Sequence, residues 1–210
     1  MKKTITVFVV VVLLLCISSP IHAHDLNGLG VGQKGINVFY QTGDYAYDIV
    51  QYANTQVGNG NIYLPGQAWC AAFVSHCADA VQVPANDIYR SNTCSTIYNY
   101  SYGVKHSNPG SYTPMMGDLI FFSDTSSLSN MTHIGIVRSS NSSYVYTIEG
   151  NSGGVVSYNT YSRTSSYIVA YLTPNYTGSQ HVWTNYSTYR VCSLCGCKEY
   201  YPQKSVQPEG

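Results

Sequence analysis

The chain has 210 residues and carries 10 basic and 10 acidic side chains, a formal net charge of zero. Charged residues are only 10% of the total, far below the usual quarter. This leaves Ser, Asn, Thr and 21 tyrosines to form the polar surface, and it argues against a nucleic-acid partner, which requires a basic face.

The first segment has the layout of an export signal. Lys2 and Lys3 precede an apolar run from Ile5 to Ile17, followed by Ser18-Ser19-Pro20 and a small residue at Ala23, so cleavage is expected after Ala23. The run is shorter than the ~20 residues of a membrane span, and no membrane association is expected once it is removed. Taking away Lys2 and Lys3 lowers the 10 basic residues to 8 against the same 10 acidic ones. The expected organisation is therefore a signal peptide over 1–23, one catalytic domain over 24–174 and a Cys-rich tail over 175–210, its end from Pro202 onward reading as disordered. The expected location is extracellular or at the cell wall.

Past a Gly-rich lead, Tyr45, Ile49, Val50, Ala53 and Val57 recur at helical spacing. Asp44 is positioned to cap that helix, and Gly58-Asn59-Gly60 to end it. Pro65-Gly66 breaks the chain again. From Trp69 to Gln82, apolar residues at three- and four-residue intervals predict an amphipathic helix with Cys70 in its first turn. One short helix is expected between Asp87 and Tyr102. Strand patterns follow at Asp118 to Phe122, His133 to Arg138, Tyr144 to Glu149, Val155 to Asn159 and Tyr167 to Leu172. Helices first and strands afterwards predict an α+β fold, with N-terminal helices packed on an antiparallel sheet.

Within that frame Cys70, His133, Glu149 and Asn151 form a candidate cysteine hydrolase site: a thiol, an imidazole and two polar orienting groups. A thiol in the first helical turn faces unpaired N–H groups and the positive end of the helix dipole, both of which favour the thiolate. If the turn between the two strands centres on Asn141, His133 stands directly opposite Glu149, with Asn151 on the diagonal of the same face. A slip of one residue would send His133 and Glu149 to opposite faces. The sheet face bearing His133 is expected to point at the helix N-terminus. Asp118, in the turn Gly117-Asp118, reads as structural.

Four segments in order carry a family resemblance: Trp69-Cys70-Ala71-Ala72-Phe73-Val74, Gly117-Asp118-Leu119-Ile120-Phe121-Phe122, Thr132-His133-Ile134-Gly135-Ile136-Val137 and Glu149-Gly150-Asn151. Together they resemble the CHAP domain, a family of cysteine, histidine-dependent amidohydrolases/peptidases in the papain-like NlpC/P60 group. The resemblance implies a papain-like fold, Cys70 as nucleophile, His133 as general base, and Glu149 with Asn151 as orienting groups. It also implies bacterial peptidoglycan as the partner, cut at an amide bond either between sugar and peptide or within a peptide cross-link. Catalysis of this kind requires no cofactor. Some members hold calcium in an acidic loop ahead of the cysteine helix, but no Asp-rich loop lies between Val57 and Cys70, so no calcium site is expected there. The backbone N–H of Cys70 is the natural oxyanion donor, and Gln67 is a candidate second one. The alternative is a non-catalytic module of the same fold that presents a Tyr-rich groove to cell wall or glycan.

Two further cysteine readings remain. Cys77 and Cys94 are candidates for a disulfide in an oxidising compartment. In the tail, His181, Cys192, Cys195 and Cys197 offer the four ligands that a structural zinc needs. The competing reading of the tail is disulfide formation, within one chain or between two chains to give a dimer.

Overall fold

A computed structural model describes residues 39–200; the export signal and the tail end beyond residue 200 lie outside the described residues. Helix α1 (Tyr45–Thr55) is capped as the sequence suggests, Asp44 accepting from the Tyr47 N–H. Helix α2 (Cys70–Ala80) starts at Cys70 itself, and α3 (Cys94–Tyr100) is the expected short helix.

Six strands follow: β1 (Gly103–His106), β2 (Leu119–Phe122), β3 (His133–Ser140), β4 (Tyr144–Ser152), β5 (Val155–Ser162) and β6 (Ile168–Pro174). They form one antiparallel sheet in the order β1-β6-β2-β3-β4-β5. The α+β class is as expected. Strand β1 was not evident from the sequence: it is four residues long, has no alternating pattern, and exists because it pairs with the edge of β6. A second, three-stranded sheet, β7 (Trp183–Asn185), β8 (Tyr189–Cys192) and β9 (Lys198–Tyr200), gathers the tail. Its strands are too short to show a period. Among the described residues no helix is long and apolar enough to cross a membrane.

The large sheet has two unlike faces. Leu119, Phe121, Ile134, Ile136 and Ile148 meet Phe73, Val74 and Ile49 of the helices in the main core. The opposite face buries a smaller cluster, Ile120, Phe122, Val137, Val145, Ile168 and Tyr171, partly covered by Tyr112, Tyr161 and Tyr167. The tail also reaches the main core, through Tyr176, Cys192 and Cys195.

Contact between α2 and β4 depends on Gly150. A Cβ there would lie 2.4 Å from Cβ of Phe73 and 2.8 Å from the Trp69 ring. The first of these is anchored at the helix backbone and cannot swing aside. Gly150→Ala is expected to push α2 off the sheet at a cost of about 1–3 kcal/mol. At roughly 2–4 °C per kcal/mol for a domain of this size, a circular dichroism melt should show the loss directly.

Candidate active site

Cys70 and His133 each begin an element, α2 and β3 respectively. Ile134 and Ile136 face the helices, so alternation turns His133 and Glu149 to the other face, where Phe122 and Tyr161 lie. The sequence reading had this face pointing at the helix. Instead, thiol and imidazole meet around the end of β3. The encounter is possible because His133 is the first residue of its strand and Cys70 the first of its helix.

The register also differs from expectation. Ile136 pairs with Ile148 and Val137 with Thr147, so continuing the ladder sets Gly135 opposite Glu149, with His133 on the diagonal. A bulge between Val137 and Ser139 and a turn whose Asn141 side chain accepts from the Ser143 and Tyr144 N–H groups account for the shift. Because the displacement is two residues, the faces are preserved. His133 Nε2 lies 2.9 Å from Glu149 Oε2. Gly135 makes the diagonal reach possible: a Cβ there would come within 2.6 Å of Glu149 Cγ.

The Glu149 side chain is 1% exposed. Besides His133, its carboxylate accepts from Asn159 Nδ2 at 2.9 Å, from Tyr161 OH at 3.0 Å and from the Thr147 hydroxyl. Burial and the neighbouring carboxylate push the Tyr161 hydroxyl well above its ordinary range, keeping it a donor. Sequence reasoning missed Asn159 and Tyr161, which alternate on β5 and are visible as partners only once β5 lies beside β4. Asn151, expected to hold the imidazole, lines the same open cavity as His133, Tyr161 and Tyr167, but it makes no hydrogen bond to the ring among the bonds of the described residues. It sits at φ +61°, where β4 breaks register before the turn into β5.

The thiol has an unforeseen neighbour. Cys94, the first residue of α3, puts its sulfur 3.8 Å from Cys70 Sγ. All six cysteines from Cys70 to Cys197 are free, so the expected Cys77–Cys94 bridge is absent. Cys77 is wholly buried on the apolar stripe of α2, and Cys94 faces Cys70. Donation from Cys94 is the largest influence lowering the Cys70 pKa; burial opposes it, and His133 and the Ile134 amide add to the lowering. Cys94 moves the other way, held as a thiol mainly by Cys70 and then by burial. For His133, burial disfavours the cation, but Cys70 and Glu149 outweigh it and raise the pKa to about 9. The two shifts run in opposite directions, and both favour thiolate beside imidazolium. With Nε2 engaged by Glu149, Nδ1 is the nitrogen left for sulfur.

Gln67 is exposed in the loop before α2 and is not among the residues lining the cavity. Asp118 is structural, as expected: buried at 1%, it accepts from Tyr112 OH and the Met115 N–H, each at 2.8 Å, and burial raises its carboxyl to about 6. The tail residues His181, Cys192, Cys195 and Cys197 lie together, their ligand atoms all within 4.8 Å of one another.

Residues 62–151 match the model of the CHAP domain. Asn159 and Tyr161 lie beyond that match. No curated protein sequence matches the chain. Among solved structures, the crystal structure of Ly7917 aligns with a TM-score of 0.45 and 18% identity, over 65% of this chain and 63% of that one. The crystal structure of Ly7917 with the hydrolyzing product of MDP aligns with a TM-score of 0.45 and 20% identity, over 70% and 68%. The chain therefore spans less than two thirds of the first of these.

The electrostatic arrangement is open to titration. Iodoacetamide should alkylate Cys70 at pH values well below those an ordinary thiol needs, and Cys94→Ala should move that profile upward, because it removes the donor that most favours the thiolate. An unchanged profile in the variant would show that the Cys94 thiol does not stabilise Cys70.

Proposed function

We propose that the CHAP domain over residues 62–151, completed by Asn159 and Tyr161 of β5, is the catalytic part of an exported peptidoglycan hydrolase that cuts an amide bond. The observation that carries this reading is the grouping of a thiol lowered at a helix start with an imidazole raised by that thiol and by a buried carboxylate 2.9 Å away. Acyl transfer by a cysteine makes use of such an arrangement. Export rests on Lys2, Lys3 and the apolar run behind them, and it would bring the enzyme to its substrate.

In the proposed reaction the Cys70 thiolate attacks the amide carbonyl carbon. The first-turn N–H groups of α2, which have no acceptor within the helix, including that of Cys70, stabilise the oxyanion. His133 then gives its proton to the departing amine, and the C–N bond breaks to leave a thioester. Water, losing a proton to the now neutral imidazole, attacks the thioester and releases the acid, and Cys70 returns as thiolate. Glu149 acts through His133: it holds the ring and favours its cationic form. Asn159 and Tyr161 hold Glu149 in turn, so they are positioning residues. Asn151 borders the cavity in which the substrate would lie.

Turbidity loss of purified cell walls tests the proposal, with mass spectrometry of the released fragments to distinguish sugar–peptide cleavage from cross-link cleavage. Cys70→Ala should lower the rate by about 10⁴-fold or more. Glu149→Gln should lower it by about 10²- to 10⁴-fold through loss of ring orientation. Wall turnover that persists undiminished in Cys70→Ala would remove this nucleophile, and wall retention without turnover by the wild type would favour the glycan-binding module.

The pH dependence has a defined sign. Activity should fall on the acid side as Cys70 is protonated, at pH values below the ordinary thiol range, and on the alkaline side as His133 loses its proton near pH 9. A kcat/KM profile that rises with pH through the ordinary thiol range would contradict the resting ion pair.

A further inference from the structure

We propose that His181, Cys192, Cys195 and Cys197 form a closed structural zinc site that fastens the tail sheet to the N-terminus of α1, where Asp44 lies against the cluster. The inference concerns a region outside the hydrolytic site and does not depend on the proposed reaction.

The spacing of the ligand atoms is the first argument. A tetrahedral zinc with sulfur at about 2.3 Å and nitrogen at about 2.0 Å separates nitrogen from sulfur by about 3.5 Å. His181 Nδ1 lies 3.5 Å from Cys195 Sγ and 3.6 Å from Cys197 Sγ, and Nε2 lies 3.9 Å from Cys197 Sγ. All four ligand atoms fall within 4.8 Å of each other. Four residues from two chain segments have thus converged on one point, with two histidine-to-sulfur distances at the edge length of a zinc tetrahedron.

The local backbone is the second argument. Between Cys192 and Cys197 the chain doubles back: the Gly196 N–H donates to Cys192 O at 3.0 Å and the Cys192 N–H to Cys197 O at 2.9 Å. Gly196 adopts φ +76°, a conformation that costs glycine little, and this turns Cys195 and Cys197 toward one point. The Leu194 N–H is directed at Cys192 Sγ, 3.4 Å away. None of the three thiols is paired in a disulfide.

Asp44 is the third argument. Fully buried, it places Oδ2 2.8 Å from His181 Nδ1 and 3.0 Å from Cys192 Sγ, while Oδ1 caps α1 through the Tyr47 N–H. Asp44 thereby lies against a ligand residue from each end of the tail segment while its other oxygen caps α1, which sets the cluster against the first turn of that helix. Two more bonds close the same seam, Gln180 N–H to Gly43 O at 2.7 Å and Tyr45 N–H to Ser179 Oγ at 3.0 Å. A metal at this point would join residues 44 and 181–197, which are far apart in sequence, and so contribute to stability on folding.

Cobalt(II) titration of the full chain, reduced and stripped of metal by chelator, tests the site. The expected result is uptake of about one equivalent, with thiolate-to-cobalt absorption in the near ultraviolet and tetrahedral bands in the visible. Both should be lost in Cys195→Ser and in Cys197→Ser and retained in Cys77→Ser, whose sulfur lies outside the cluster. Should the serine variants fail to fold, the wild type still decides: chelator should expose the tail to limited proteolysis, and zinc should restore protection. A folded wild type that takes up no cobalt in tetrahedral form overturns the proposal, as does non-reduced protein that holds the tail thiols as a disulfide and contains no metal.

Discussion

The candidate site rests on one buried carboxylate. Glu149 is sealed from water, where an isolated charge would be severely disfavoured, and it is tolerated because His133, Asn159, Tyr161 and Thr147 all donate to it. Each donor comes from a position that sheet pairing dictates: β3 supplies one, β4 itself another, and β5 two. The charge in turn helps raise the imidazole's proton affinity, and the imidazole helps lower that of the thiol. Folding of three strands and ionisation of a sulfur on a helix are thereby linked.

Two glycines give this arrangement its space, for opposite reasons. Gly135 leaves room for the Glu149 side chain to cross to the diagonal imidazole, and Gly150, the next residue on the other face, lets α2 settle onto the sheet. Substituting either would act on the same strand from opposite sides. Cys94 adds a third constraint: by beginning α3 beside the start of α2, it sets its sulfur 3.8 Å from that of Cys70, the contact with the largest influence on the Cys70 pKa.

At the start of α1 the tail repeats the logic with different atoms. Asp44 is the first turn's cap and at the same time the acceptor for His181 and Cys192. One acidic residue thus joins the helix to a sheet built from segments too short to stand alone.

The helices at Tyr45 and Cys70, five of the strands, the α+β class and the grouping of Cys70 with His133 and Glu149 were legible in the chain, because each is written in local periodicity, in a breaker such as Pro65-Gly66, or in motif order. The face relation of His133 to Glu149 was legible too, since a period of two survives a register error of two. The pairing itself was not, because it turns on a bulge at Arg138 and on where the turn closes. Nor were Asn159 and Tyr161 as supports, Cys94 as the partner of Cys70 in place of Cys77, the passage of the imidazole around the end of β3, or Asp44 beside the tail cysteines. These are meetings between segments distant in sequence, and no local pattern encodes which side chains will share a volume once the sheet twists and the helices dock.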